Sequence, residues 1–362
     1  MNRRLQFSLK ALLVATGLLA AVLAFWRRSD EQSVTTVPIG ELGKTHGAPT
    51  QYRLLPNCGL VSDDTEHACM VAQALIAAGD DADRFANELG RRLRKWLLGA
   101  PAGIGLATLK ASVRLCLGVP PYRSGVFSAG NGPAMRSPLL GAAIGDVEEL
   151  RRFVRLSTRV THTDPKAEWG AMAVALAARA ASQTSRVEPH GFASELRRVL
   201  DEPGADEMHE LIHKVAESVA AGASTESFAA SLGLERGVSG YIYHTVPVVL
   251  HAWLANPGNF RAAVTAVICC GGDADTTAAI TGGIVGSAAG KEGIPADWLA
   301  RFTEWPRTVA WMERLAVALC EARTTGSCAP PPRLPIYGVL PRNAFFASLV
   351  LGHGFRRLLP PY

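Results

Sequence analysis

The chain has 362 residues, room for one large domain or two modest ones, and its 48% hydrophobic against 19% charged content supplies a large core and excludes global disorder. Lys and Arg number 37 against 32 Asp and Glu, a formal charge of +5. Residues 1–28 hold Arg3, Arg4, Lys10, Arg27 and Arg28 and no acid, so the remainder is formally neutral, a poor electrostatic footprint for nucleic acid.

Ala11 to Trp26 carries no charge and is bracketed by Lys10 and by Arg27-Arg28. Counted from Leu9, with Lys10 snorkelling, residues 9–26 just reach the lower bound of roughly 17 residues for a spanning helix. The favoured expectation is a single-pass membrane anchor within residues 1–28, giving a membrane-anchored protein. The alternative is a buried first helix of a cytoplasmic protein. Phe25-Trp26-Arg27-Arg28 is a poor exit for a cleaved signal peptide. Basic residues on both sides leave the membrane side open.

Residues 29–56, with Gly40, Gly43, Gly47, Pro49 and Pro56, read as a linker. Apolar residues then recur at three-to-four spacing over 68–78, 85–98, 138–153, 167–181, 192–200, 208–221, 246–255, 260–270 and 277–289. Gly, Pro, Ser and Asn mark loops at 99–107, 117–133, 222–240 and 256–259. Alternating strands are nearly absent, so 57–323 is expected to be an all-α, multi-helix globular domain. Residues 324–362 are proline-rich, then basic and apolar, a tail that docks on the body or touches a membrane. The seven cysteines (58, 69, 116, 269, 270, 320, 328) form no CxxC and read as neither a disulfide framework nor a zinc site. Cys320 and Cys328 are near enough in sequence to pair, but nothing demands it.

Two acidic clusters sit where helices should begin: Ser62-Asp63-Asp64-Thr65 and Gly271-Gly272-Asp273-Ala274-Asp275-Thr276. N-capping alone accounts for one oxygen in each. Two carboxylates with neighbouring hydroxyls form instead the all-oxygen set that hard dications such as Mg²⁺ or Mn²⁺ prefer. Four buried carboxylates with no counterion would be prohibitively costly, a cost that two dications remove. In Ser128-Ala129-Gly130-Asn131-Gly132-Pro133-Ala134-Met135-Arg136, Gly and Asn tolerate positive φ and can converge N–H groups on a diphosphate. Gly103-Ile104-Gly105 lacks the preceding strand of a dinucleotide loop, and that reading is rejected. His162 precedes a helical run and by itself reads as a cap or surface residue.

Together the stretches SDDTEHA at 62–68, GIGLAT at 103–108, SAGNGPAMRSPLLGAAIGD at 128–146, THTDPKA at 161–167, GYIYHTVPVVLHAWL at 240–254, GGDADTTAAITGGIVGSAAG at 271–290 and IPADWL at 294–299 resemble the ADP-ribosylglycohydrolase family. The resemblance implies an all-α fold around two Mg²⁺ or Mn²⁺ ions held by Ser62, Asp63, Asp64, Asp273, Asp275 and Thr276. It implies that Ser128, Gly130, Asn131, Gly132 and Met135 line ADP-ribose, with His162 nearby. It also implies hydrolysis of the bond between ADP-ribose and a protein side chain or small conjugate. Asp64 and Asp275 are the candidates to take the proton of the attacking water. The chain departs from the family at its first helix: Thr16-Gly17-Leu18-Leu19-Ala20 stands where a GDALG-type motif is usual, and Ala24 where a Glu falls. That departure keeps a second reading open, a catalytically silent ADP-ribose-binding or structural protein. An unrelated Mg²⁺ phosphohydrolase is a third.

Overall fold

The structure, a computed structural model, describes residues 59–357. Helix α1 (Asp63–Ala78) opens at Ser62, whose hydroxyl oxygen accepts the Asp64 N–H at 3.3 Å. Asp81 starts α2 (Ala82–Leu98) by accepting the N–H groups of Asp83 and Arg84 at 3.0 and 2.9 Å. Phe85, Leu89, Leu93 and Trp96 form the buried stripe of α2. After α3 (Leu106–Cys116), the single helix expected over 138–153 is two, α4 (Ser137–Ala143) and α5 (Val147–Arg159). Ile144 turns extended, and Asp146 caps a fresh helix by accepting the Glu149 N–H at 2.8 Å.

Pro165 occupies the first turn of α6 (Pro165–Gln183), where its missing N–H costs nothing. Then come α7 (Pro189–Val199), α8 (Asp206–Ala220) and α9 (Thr225–Ser231), the last lying inside a segment expected to be loop and capped by Ser224. The remaining long helices are α10 (Ile242–Ala255), α11 (Phe260–Cys269), α12 (Ala274–Ala289), α13 (Val309–Thr325) and α14 (Ile336–Arg357). Among the described residues there is no β-strand, only isolated bridges. The fold is all-α, as expected.

The organising element is α12, buried continuously from Thr276 to Ser287 and apolar on every side. It packs against α6, α10 and α11, while α6 also packs on α4 and α5, and α1 on α2 and α13. The buried hydroxyls of Thr281 and Ser287 donate to the carbonyls of Thr277 and Gly283, each at 2.8 Å, so the helix is buried without orphaned hydroxyls there. Where α4 crosses α6, a Cβ on Gly141 would lie 1.9 Å from the Ala175 carbonyl oxygen; only glycine permits this approach.

One expectation, about the membrane, changes here. No helix among the described residues is long and apolar enough to cross a membrane. This corrects the expected membrane anchor and the membrane-anchored location drawn from it; residues 9–26, on which both rested, lie outside the described residues, as does the linker at 29–56. The tail contains a helix, α14, that meets the body through buried Arg342 and Asn343, the latter donating to the Gly99 carbonyl at 2.7 Å. Cys320 and Cys328 form no disulfide with each other.

Candidate active site

The first turns of α1 and α12 meet, although they come from opposite ends of the domain. Asp275 acts electrostatically on Asp63, Asp64 and Asp273, and Asp273 acts on Asp64. Thr276 acts on both Asp64 and Asp273, lowering the proton affinity of each. Ser62, Asp63, Asp64, Asp273, Asp275 and Thr276 therefore share one locality.

The backbone before α12 explains how. Gly272 has φ +77°, and a Cβ there would lie 2.1 Å from the Val238 carbonyl oxygen. Through that gap Asp273 N–H donates to Val238 C=O at 2.6 Å, and Val238 N–H donates to Gly271 C=O at 3.1 Å. Asp273 sits at the N-cap position, yet its side chain accepts no helix N–H, unlike Asp81 and Asp146. Its Oδ2 instead accepts the Asn131 amide at 2.7 Å.

The same Asn131 amide nitrogen reaches Thr245 Oγ1 at 3.0 Å, while the Asn131 N–H donates to Gly240 C=O and the Ile242 N–H to Ala129 C=O, both at 2.9 Å. The 128–132 loop is thus fastened across the start of α10, beside Asp273. Ser128 Oγ accepts the Gly130 N–H at 3.3 Å. The Met135 N–H donates to Asn131 C=O at 3.2 Å, and its side chain is buried. His162 is buried with Nδ1 at 2.9 Å from Thr161 Oγ1, and its ring lies directly under the loop. A Cβ on Gly132 would come within 3.0 Å of its Cε1. The expected site residues of the loop are therefore together, and His162 lies beneath them as a support.

Burial and mutual repulsion dominate the electrostatics. Asp64 has no exposed surface; burial first, then the Asp275 charge, push its carboxyl up to about 8. Its Oδ2 accepts the Ser62 hydroxyl at 2.6 Å, while Oδ1 has no partner. Burial and Asp275 raise Asp273 to about 6 against the opposing Asn131 hydrogen bond. Burial, then Asp64 and Asp275, hold Asp63 well above the ordinary carboxylate range. Burial, reinforced by Arg136, lowers His162 to about 3, so its imidazole is neutral.

A donor set of carboxylates and hydroxyls, with one buried carboxylate oxygen orphaned, fits an oxygen-seeking dication such as Mg²⁺ or Mn²⁺ rather than a soft metal. Among the described residues, no three His, Cys, Asp or Glu side chains close round one point. A cavity of about 460 Å³ between α9 and α11 holds none of these residues, and its Arg261 is already paired with Asp297.

Three residues near the centre carry no role in the sequence reading. Thr245 and Gly240 lie within the GYIYHT stretch, where a threonine in an apolar helix start was the available signal. Arg136 ends the loop motif but is wholly buried. Its Nε donates to Ser157 Oγ at 3.0 Å, its Nη2 to Ser157 C=O at 2.6 Å and to Thr161 Oγ1 at 2.7 Å, and its Nη1 lies 3.2 Å from His67 Nδ1. An arginine in sequence reads as surface, so its bracing of the loop against α1 and α5 was not legible.

In an all-α body, four aspartates are gathered at two helix starts beside a Gly-Asn loop, an acidic centre. A family profile described as ADP-ribosylglycohydrolase matches residues 16–328, and the chain belongs to that family. The match begins at Thr16, within the apolar segment first expected to be an anchor. The chain is 29% identical over 311 residues to ADP-ribosylhydrolase ARH3 of Bos taurus, covering 76% of this chain and 83% of that one. It is 28% identical over 275 residues to the ADP-ribosyl-[dinitrogen reductase] glycohydrolase of Rhodospirillum rubrum, covering 72% and 81%. An uncharacterized protein of Archaeoglobus fulgidus is 29% identical over 284 residues, covering 75% and 84%. A solved ADP-ribosylglycohydrolase-related protein complex shares the fold, with TM-score 0.62 at 24% identity, over 89% of this chain and 100% of that one.

Proposed function

We propose that this chain is a Mg²⁺- or Mn²⁺-dependent hydrolase that cleaves the bond between the ribose of ADP-ribose and an acceptor, either a modified protein side chain or a small conjugate. The observation that carries it is Asp273: a residue at a helix N-cap whose carboxylate leaves the helix uncapped and faces a buried aspartate with an orphaned oxygen. Ser62, Asp63, Asp64, Asp273, Asp275 and Thr276 would hold the two cations. When bound, such ions supply positive charge that orients ribose hydroxyls and makes water more acidic.

The protein's own groups do the rest. Asp64 or Asp275 takes the proton of the attacking water. Carboxylates around the anomeric carbon favour the positive charge that develops there as the bond breaks. Ser128, Gly130, Asn131, Gly132 and Met135 form the loop that receives the diphosphate and ribose, and neutral His162 props that loop without adding charge. The names of the Rhodospirillum and Bos relatives support ADP-ribosyl substrates.

Asp273→Ala and Asp275→Ala should each abolish Mn²⁺ binding in calorimetry and release of the acceptor from ADP-ribosylated substrate. Full turnover by either variant would sink the site assignment. Ala24, standing where the family usually carries Glu, favours a second reading as a silent binder. Binding of ADP-ribose by the wild-type chain with no turnover on arginine-, serine- or small-molecule-linked substrates would select that reading.

A further inference from the structure

We infer that α14 is a built-in positioning element for the acidic centre and that it acts through Arg342. The inference rests on the metal-holding reading above. Arg342 Nε and Nη2 donate to Glu304 Oε1 and Oε2, each at 2.9 Å, a bidentate pair. Nη2 also donates to the Val61 carbonyl, while the Val61 N–H donates to Glu304 Oε2 at 2.9 Å. Both backbone polar groups of Val61 are thus taken up by one ion pair, and the next residue is Ser62. On the other side of the aspartates, Glu66 Oε1 lies 2.6 Å from Arg307 and 3.6 Å from Arg342 Nη1, and Glu66 Oε2 accepts Trp96 Nε1 at 2.5 Å. Ser62, Asp63 and Asp64 are therefore bracketed by two grips, and Arg342 belongs to both.

Its neighbour extends the hold. Asn343 donates to Gly99 C=O at 2.7 Å, at the head of the loop that brings Gly103 within 3.9 Å of Asp63 Oδ1, measured from its Cβ position. Glu66, Glu304, Arg307 and Arg342 are 1%, 3%, 5% and 8% exposed, so the network is buried, with two acids matched by two bases. A buried pair of this kind is weak evidence for net stability but strongly fixes geometry when every partner is present. Arg342 lies beyond residues 16–328, the extent of the family match.

The test is a titration of the full chain with Mn²⁺ alone, for wild type, Arg342→Lys, Arg342→Ala and Leu340→Ala, an exposed control on the same helix. Removing a group that orients metal ligands typically costs about 10–100-fold in metal affinity. Arg342→Ala should weaken Mn²⁺ binding by about tenfold or more and Arg342→Lys by less, since lysine keeps the charge but not the fork. Leu340→Ala should match wild type. Turnover of an ADP-ribosylated substrate by the Arg342 variants should return at saturating Mn²⁺, which a merely structural lesion would not allow. Mn²⁺ affinity of Arg342→Ala equal to wild type, or turnover that saturating Mn²⁺ fails to restore, overturns the inference while leaving the metal reading intact. If Arg342→Ala does not fold, Arg342→Lys decides by the same two measurements. A wild-type chain that takes up no Mn²⁺ removes the metal reading and this inference together.

Discussion

Asp64 holds the tension of the centre in a single side chain. One oxygen is satisfied by Ser62 and the other by nothing, in a position with no solvent contact. Its carboxyl holds a proton up to about pH 8, far above the ordinary 3.8, and Asp273 to about 6. For an acid raised in this way, the cost of ionising in the fold is absent below the ordinary value and complete above the raised one. The metal-free chain should therefore lose stability as pH rises through that window. Cations must displace those protons, so Mn²⁺ affinity should strengthen from pH 6 to pH 8, with proton release visible in calorimetry. An affinity flat across that range would mean that the aspartates are not the ligands.

At the scale of elements, the helix starts were legible and the contacts between helices were not. Ser62, Asp81, Asp146 and Asp164 act as the caps that their residue types promise. The two acidic clusters stood out because each offered more oxygens than a cap uses. Periodicity ran through Ile144 without showing the break, because a cap three residues before Glu149 competes locally with an unbroken apolar pattern. The Gly141–Ala175 crossing was equally invisible, since one glycine in an alanine-rich helix carries no sign of its partner. Gly141→Ala forces a backbone contact to open and should destabilise the fold by about 1–3 kcal/mol, the usual cost of overpacking, as a lower urea midpoint with unchanged slope. An unshifted midpoint would show that α4 and α6 separate freely.

For the whole molecule, cations held as proposed would cross-link α1 and α12. Ligand binding to the folded chain alone stabilises it by about 2.7 kcal/mol at a hundredfold excess over Kd. Saturating Mn²⁺ should thus raise the melting temperature of wild type by several degrees and leave that of Asp273→Ala unmoved; equal shifts in both would place the ion elsewhere. The all-α class was readable from spacing because helices are local. The Glu66–Arg307–Glu304–Arg342 network was not, because charged residues in sequence read as solvent-facing, and their burial depends on partners far along the chain.

Because α1 stands near the beginning of the described chain and α12 toward its end, the two acidic clusters can meet only after most of the domain between them has been made. A polypeptide lacking residues 271–276 has only one of the two acidic clusters, and under the proposed function a fragment containing either cluster alone should be inert. Under the proposed function the site would come into being only when the two distant stretches close on each other.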